Sequence, residues 1–406
     1  MATDEKLRAL LACAYEYSPA IRRRFDEAGL RPEDVQTVAD LQRVPILPKD
    51  DVIAAQQADP PFGDMLGVPA DEVRHIYLSP GPLYEPDAGD DDSQLEMMKL
   101  ALSRGGFQSG DVVLNTLSYH LVPAGMHLDE ALVGLGCTVL PGGTGNRQLQ
   151  LKMMRDTGVN GYVGTPSFLM ALIKAAEEGG ADFRADYGVR KAFVTAEPLP
   201  AALYQTLAGE YGIAVTNAYA TAELGVLAIS TGGEMAMQLL PEPIVEVADP
   251  ETGEVVGAGE VGEVVVTNFN CAYPLVRLGT GDMAVNGDPR PGESAQEERT
   301  LTLVGRSGEA VKVRGMFVHP NQLRFVTGRV APGAAVQGVV TRPEQRDHFL
   351  VRVAPAEAIA EPETLRQTLQ QAIGQICRVR VDEVVLLPAG EIAEDAPGMV
   401  DEREWE

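Results

Sequence analysis

Residues 4–28 carry apolar side chains at helical spacing, with Leu7, Leu10 and Leu11 followed by Ile21 and Phe25. The pattern breaks at Ser18-Pro19, as a helix does before proline. Residues 92–105 predict another helix, closed by Gly105-Gly106. A regular rhythm then begins. "DVVLNTLS" reads as a short apolar strand and "AGMHLDEALVGLG" as a helix ending on glycine. "CTVLPGG", "VNGYVGTP", "KAFVTAEP" and "AVTNAYAT" repeat the strand, and the segments between them repeat the helix. Strands alternating with helices of ~10–14 residues predict a parallel sheet. Ligands of such sheets sit beyond the carboxyl ends of the strands. The segments "LSYH", "GTP", "TAEP" and "YATAE" all fall at those ends, and they are expected to converge.

After about residue 226 the texture changes. "IVEVADPETGEVV", "GEVVVTNF" and "LTLVGR" are β-rich with Gly/Asp turns, "PETGE" being one of them. The polar stretch 286–299 reads as a surface loop. Beyond "VGRSGEAVKVRG", strand-like "VQGVVTR" and "HFLVRVAP", the helix "PETLRQTLQQAIGQIC" and strand-like "RVDEVVLLP" predict a compact α+β unit. The fold class expected is therefore α/β. Residues 1–306 form a large domain of parallel α/β sheet with a β-rich subdomain, and residues 307–406 form a small α+β domain.

The chain has 406 residues, 33 basic against 59 acidic side chains, and a net charge of −26. A surface this acidic repels nucleic-acid phosphates and anionic lipid, so neither is expected as a partner. The cysteines Cys13, Cys137, Cys271 and Cys377 stand far apart with no C-x-x-C pair. They read as buried apolar fillers, with pairing left open. The N-terminus has no signal-peptide pattern and no run of ~18 apolar residues exists, so a cytoplasmic protein is expected.

Several short motifs, in order, resemble the adenylate-forming ligases, most of all the phenylacetate–CoA ligase branch. "YATAELG" resembles the Y-G-x-[ST]-E segment, "TAEP" the G-A-E-P turn, and "PLVRLGTGD" the P-L-[IV]-R-Y-R-T-x-D stretch. "GRSGEAVKVRGMFVHPNQL" resembles the segment that opens the small domain. The resemblance implies two half-reactions. A carboxylate attacks the α-phosphate of ATP to give an acyl-adenylate and pyrophosphate; the small, mobile domain then swings and coenzyme A takes the acyl group. It also implies residue roles. Ala196, Glu197 and Pro198 would border the adenine, with Thr221 beside them in the nucleotide site. Tyr219 would stack on the base, an aromatic face suiting a purine. Asp282 would accept from the ribose hydroxyls. Glu223 would hold Mg²⁺ and act in the chemistry, and Arg306 would act at the hinge. Tyr119, His120, Gly125 and Thr165 would shape the acyl pocket. A homodimer is likewise what the resemblance implies. His120 and His127 with Asp129 and Glu130 do not read as a metal site, because Pro123 interrupts the spacing.

The chain also departs from the family pattern. The phosphate loop S-S-G-T-T-G-x-P is replaced by Ser79-Pro80-Gly81-Pro82-Leu83-Tyr84-Glu85-Pro86. Its threonines are gone, its prolines donate no N–H, and Glu85 brings negative charge toward a negative cargo. Ala222 replaces the hydroxyl before Glu223, with Thr221 as a neighbour that could substitute. Ser307-Gly308 replaces the hinge acid. No lysine follows Lys312, and Pro397-Gly398 stands where the family's C-terminal lysine would be sought. The expectation is an acyl–CoA ligase of a small carboxylate, aryl or other, with an impaired adenylation half. The alternative is a non-catalytic protein that binds AMP, acyl-adenylate or acyl–CoA.

Overall fold

In the computed structural model, residues 3–79, 82–89, 92–314, 316–343, 347–357, 359–393 and 395–403 are described. By its contacts the chain divides into two compact units. One comprises Met1–Val245, Val265–Thr280 and Ser294–Leu301; the other comprises Glu246–Val264, Gly281–Glu293 and Thr302–Glu406.

The first unit is an α/β structure, as the strand–helix rhythm predicts. Five parallel strands lie in the order Thr138–Pro141, Val112–Asn115, Gly161–Gly164, Lys191–Val194 and Ala214–Thr221. The last continues into antiparallel pairing with Gly225–Thr231, which pairs in turn with Met237–Leu239. Such short apolar strands are buried on both faces, because helices return across each side. The helix Pro166–Glu178 shows how. Thr165 caps it, Pro166 opens its first turn, and Leu169, Leu172, Ile173 and Ala176 form one buried stripe at i, i+3, i+4 and i+7. That stripe packs against Tyr162, Ala192 and Val194 of the sheet. On the other face, Leu102, Leu128 and Leu132 pack with Val113 and Phe193.

The N-terminal pattern also folds as two helices, Thr3–Tyr17 and Pro19–Glu27, with Ser18 as the N-cap of the second. Leu7, Leu11, Ile21 and Phe25 are fully buried there, together with Val276. Next to Val276, Arg277 is fully buried and donates from its guanidinium to the carbonyl of Val44 at 2.7 Å. Its own carbonyl accepts from Leu47 at 2.8 Å, and Leu47–Pro48 pair in parallel with Leu278–Gly279. This clamp sets the start of the helix Lys49–Ala58, an element that no periodicity announced.

The cysteines require a correction. Cys13 and Cys271 form a disulfide with Cα atoms 6.1 Å apart, across a sequence separation of 258. Cys137 and Cys377 are free and buried, as fillers are.

In the second unit, strands Glu383–Leu386, His348–Ala354, Ala335–Thr341 and Met399–Asp401 make one sheet in that order. The helices Pro320–Val330 and Pro362–Ile376 contribute Leu323, Leu369 and Ile373 to a core with Phe349 and Val351. The backbone at Pro397-Gly398 is built into this sheet's edge. Gln337 donates to the carbonyl of Pro397 at 2.9 Å, and the N–H of Gly338 to that of Gly398 at 2.9 Å. Among the described residues no helix is long and apolar enough to cross a membrane.

Candidate active site

The strand ends of the first unit do converge, and hydrogen bonds tie them together. Thr116 donates to the Tyr162 hydroxyl at 2.8 Å, and Tyr162 donates to the Thr165 carbonyl at 2.9 Å. Thr195 donates to the carbonyl of Ala218 at 3.0 Å, joining the "TAEP" turn to the strand that carries Tyr219. The strand Ala214–Thr221 runs past its parallel neighbours and bulges between Tyr219 and Ala220. That extension carries Thr221, Ala222 and Glu223 past the ends of the parallel strands.

Glu223 is almost completely buried, with its side chain 3 % exposed, and the ammonium of Lys49 lies against its Oε1 as an ion pair. The lysine arrives at the first position of the helix set by the Arg277 clamp. A second acid shares this place. Residues 75–87 form an antiparallel hairpin in which Tyr77 stands opposite Glu85. Of its turn, Pro80 and Gly81 of the expected phosphate loop lie outside the described residues. Strand alternation puts Leu83 and Glu85 inward and Tyr84 outward. Gln56, itself buried, fixes this register: it donates to the Tyr84 carbonyl at 2.7 Å and accepts from the Tyr84 N–H at 2.8 Å. Glu85 is 5 % exposed, and among the described residues its buried Oε1 has no hydrogen-bond partner. Burial, and then the charge of Glu223, push its carboxyl up to about 7.

A cavity of about 640 Å³ opens on these groups, lined by Glu85, Ala222, Glu223, Tyr119, Tyr77 and His127 among others. Tyr119 donates to Asp129 at 2.7 Å, and burial together with that bond raises the phenol's pKa far above its ordinary range. The Tyr77 ring meets His127 edge-on at 5.4 Å. Burial lowers the pKa of His127 despite Asp87 and Glu130 nearby. His75 meets Asp87 at 2.7 Å, a carboxylate that Arg74 also approaches.

The acyl-pocket candidates therefore separate. Tyr119 lines the cavity, whereas His120 is exposed and does not. Gly125 sits in the first turn of its helix, where an added Cβ would lie 2.3 Å from the Ser118 carbonyl oxygen, so it is a close-packing glycine. Thr165 is a helix cap, accepting from the N–H of Phe168 at 3.3 Å. The nucleotide candidates sit together at the strand ends. Glu197 accepts from the Ser167 N–H at 2.6 Å, beside Pro198. Ala196 holds φ of +70°, a left-handed conformation unusual for alanine and of a kind found at functional turns. Tyr219 is buried, and its hydroxyl donates to Thr280 at 3.3 Å; Thr280 precedes Asp282 by two residues in the strand Leu278–Gly287. Thr221 keeps a buried hydroxyl with no hydrogen-bond partner among the described residues.

Within the second unit, Asp282 pairs with Arg306 at 2.6 Å, and Glu263 next to them accepts from the Gly281 N–H at 2.8 Å. Lys312 is engaged by Asp249 at 2.7 Å and Glu251 at 2.8 Å, while Arg314 is held by Asp382. Lys49, Gln56 and the inward side of Glu85 are the site groups that the sequence reading missed. The alternation of Leu83, Tyr84 and Glu85 was a signal for the last; Lys49 had none.

The model of the AMP-binding enzyme family matches residues 93–272. The phenylacetate–coenzyme A ligase of Pseudomonas putida is 29% identical over 335 residues, covering 79% of this chain and 73% of the relative. That of Escherichia coli strain K12 is 27% identical over 335 residues, covering 79% of this chain and 74% of the relative. Among solved structures, an open conformation of 2-hydroxyisobutyryl-CoA ligase, in complex with its 2-HIB-AMP adduct and CoA, has a TM-score of 0.82 at 23% identity. That likeness covers 98% of this chain and 91% of the other.

Proposed function

Because the chain belongs to the adenylate-forming superfamily, on its phenylacetate–CoA ligase branch, we propose that it is an acyl–CoA ligase whose adenylation half is impaired. Its substrate in this reading is a small carboxylate, aryl or other. The observation that carries the reading is the cavity: it brings Ala222, Glu223 and Leu224 of the "YATAELG" segment to the same wall-lined space as Tyr119. An acyl group lying there has its carboxyl end beside the motif that the family uses for the nucleotide. Ala196, Glu197, Pro198, Tyr219 and Thr221 would hold AMP from the first unit, and the orphan hydroxyl of Thr221 supports this. Asp282 would take the ribose, with Arg306 at a hinge between residues 1–306 and the lid 307–406. The ATP, AMP and CoA of the reaction are carried over from the family, as are a homodimer and a cytoplasmic setting.

Mg²⁺ does not fit the arrangement at Glu223. A hard dication wants free carboxylate oxygens, and here a lysine ammonium already lies on the same oxygen. The C-terminal lysine is also missing, and Lys312 and Arg314 are held in ion pairs within their own unit. Loss of one such preorganised donor lowers rate by roughly 10²–10³. Thiolation from a supplied acyl-adenylate uses neither group, so it is the half expected to survive. The test is ATP–pyrophosphate exchange over a panel of aryl and aliphatic carboxylates, followed by thioester assay from synthetic acyl-adenylates. Slow or absent exchange with clear thioester formation is expected; no thioester from any adenylate ends the enzymatic reading. The same Lys49–Glu223 pair favours the second reading, a binding protein. In that case AMP shifts the melting temperature, MgATP does not, and neither half-reaction proceeds.

A further inference from the structure

We propose that His127 and Tyr77 form a hydroxyl-reading subsite in the cavity, so that the acid it accepts bears a neutral hydroxyl on its body, away from the carboxyl. The inference rests on the acyl-pocket reading of the cavity given above. The hairpin 75–87 gives the cavity its direction. Tyr77 stands opposite Glu85, and His75 stands opposite Asp87, two residues or about 7 Å further from the turn. The first rung is the Glu223 end, because that carboxylate, after burial, bears most on Glu85. The second rung marks the far end. Burial raises the pKa of the Tyr77 phenol, and the charges that add to this are Asp87 and Glu130. Burial lowers that of His127, and the charges around it are Asp87, Glu130 and His75. Glu223 is in neither set. The Tyr77 ring links the groups, stacking on His75 at 5.8 Å and meeting His127 edge-on at 5.4 Å. Its hydroxyl and the His127 imidazole therefore belong to the far end.

Both groups line the cavity with hydrogen-bonding capacity to spare. The Tyr77 hydroxyl has only the Met126 sulfur, a weak acceptor at 3.9 Å. Neither ring nitrogen of His127 has a hydrogen-bond partner among the described residues. The acids at this end are otherwise engaged: Asp87 has His75 and Arg74, and Asp129 has the Tyr119 hydroxyl. A neutral imidazole offers one N–H and one lone pair, and a phenol offers one O–H. A ligand hydroxyl matches that set, since it donates to the lone pair while accepting from a neighbouring donor. An ammonium only donates and would leave the donors unanswered. A second carboxylate would be repelled by Asp87 and Glu130. An apolar substituent would displace solvent from these groups and return no hydrogen bond. The rest of the acyl body meets Leu95, Met97 and Met98, which give it an apolar wall.

Calorimetry on the full chain without nucleotide tests this. The probes are 4-hydroxyphenylacetate and 4-methylphenylacetate at pH 8, matched in size and differing in one hydroxyl, which keeps its proton because a phenol titrates near ~10. The hydroxyl compound is expected to bind roughly tenfold more tightly, the range of one or two net neutral hydrogen bonds. His127→Phe keeps a ring against Tyr77 and is expected to erase that preference. Tyr77→Phe removes only an oxygen and is expected to erase part of it. Binding of 4-methylphenylacetate reports that each variant cavity is still folded, a readout that a merely structural histidine would share while leaving the preference unmoved. Equal affinities in the native chain, binding of neither probe, or an unchanged preference in either variant would each overturn the subsite. So would tighter binding of 4-(aminomethyl)phenylacetate than of the hydroxyl compound, which would assign this end to its acids. The ligase reading fails separately. A chain that selects the hydroxyl compound yet makes no thioester keeps the subsite, whereas one that makes thioesters without regard to the hydroxyl keeps the ligase.

Discussion

The two carboxylates that the family motifs single out, Glu223 and Asp282, are each answered by a basic side chain, yet the two pairs are built for different work. At Glu223 the acid is 3 % exposed and Lys49 24 %. At Asp282 the acid is 20 % exposed and Arg306 63 %. A buried pair is held because opening it strands a charge away from water. An exposed pair is screened by solvent and opens at little cost. On the proposed reading, an internal cation stands where the nucleotide's metal would be held, while at the sugar end a ribose would have to displace an exposed ion pair.

Lys49→Met should break the first pair with the largest effect. It leaves Glu223 and Glu85 buried together without a counter-charge, and a loss of about 3 kcal/mol is expected in urea titrations at pH 8. Adding Glu223→Gln should restore most of it, whereas additive losses would show that the two residues do not depend on one another. Glu85→Gln comes next and has the opposite sign. Burial and Glu223 push the folded acid up to about 7, above the ordinary 4.5 of a glutamate, so the native state holds this proton more tightly than the unfolded chain. Stability at this group therefore falls as pH rises from about 4.5 to 7 and stays reduced above that window. The glutamine variant should be more stable by on the order of 2 kcal/mol at pH 8 and unchanged at pH 4. A gain that is flat with pH would mean that Glu85 is not the titrating group. Arg306→Ala should alter stability by less than about 1 kcal/mol, yet strengthen AMP binding measured by calorimetry, because it removes the cation that competes with the ribose for Asp282. A large loss of stability there would make the pair structural after all. The smallest effect is that of salt. Raising ionic strength from about 0.15 to 1 M should shrink the Arg306→Ala change and leave that of Lys49→Met nearly intact.

How far the sequence foretold this follows the range of the forces involved. The parallel strands were legible because each is a short apolar run between a helix and a glycine, a pattern confined to neighbouring residues. The position of Tyr119 and of the Tyr219–Glu223 segment at strand ends was legible because each follows a short apolar run. The capping role of Thr165 was also open to reading, since Thr-Pro before an apolar stripe is a helix-start signal. Lys49 was not legible at all: its partner is distant in the chain, and what brings it there is the Arg277 clamp on Leu47. The Cys13–Cys271 disulfide, separated by 258 residues, was hidden for the same reason.

Gly398 carries a consequence for any attempt to place a charged side chain at this edge of the small sheet. A Cβ at this position would stand 2.6 Å from Cβ of Pro320, closer than real side chains come, and the strand on either side is fastened at Gln337 and Gly338. A lysine placed here by a single substitution is therefore sterically opposed. Accommodating it would require the start of the helix Pro320–Val330 to move as well.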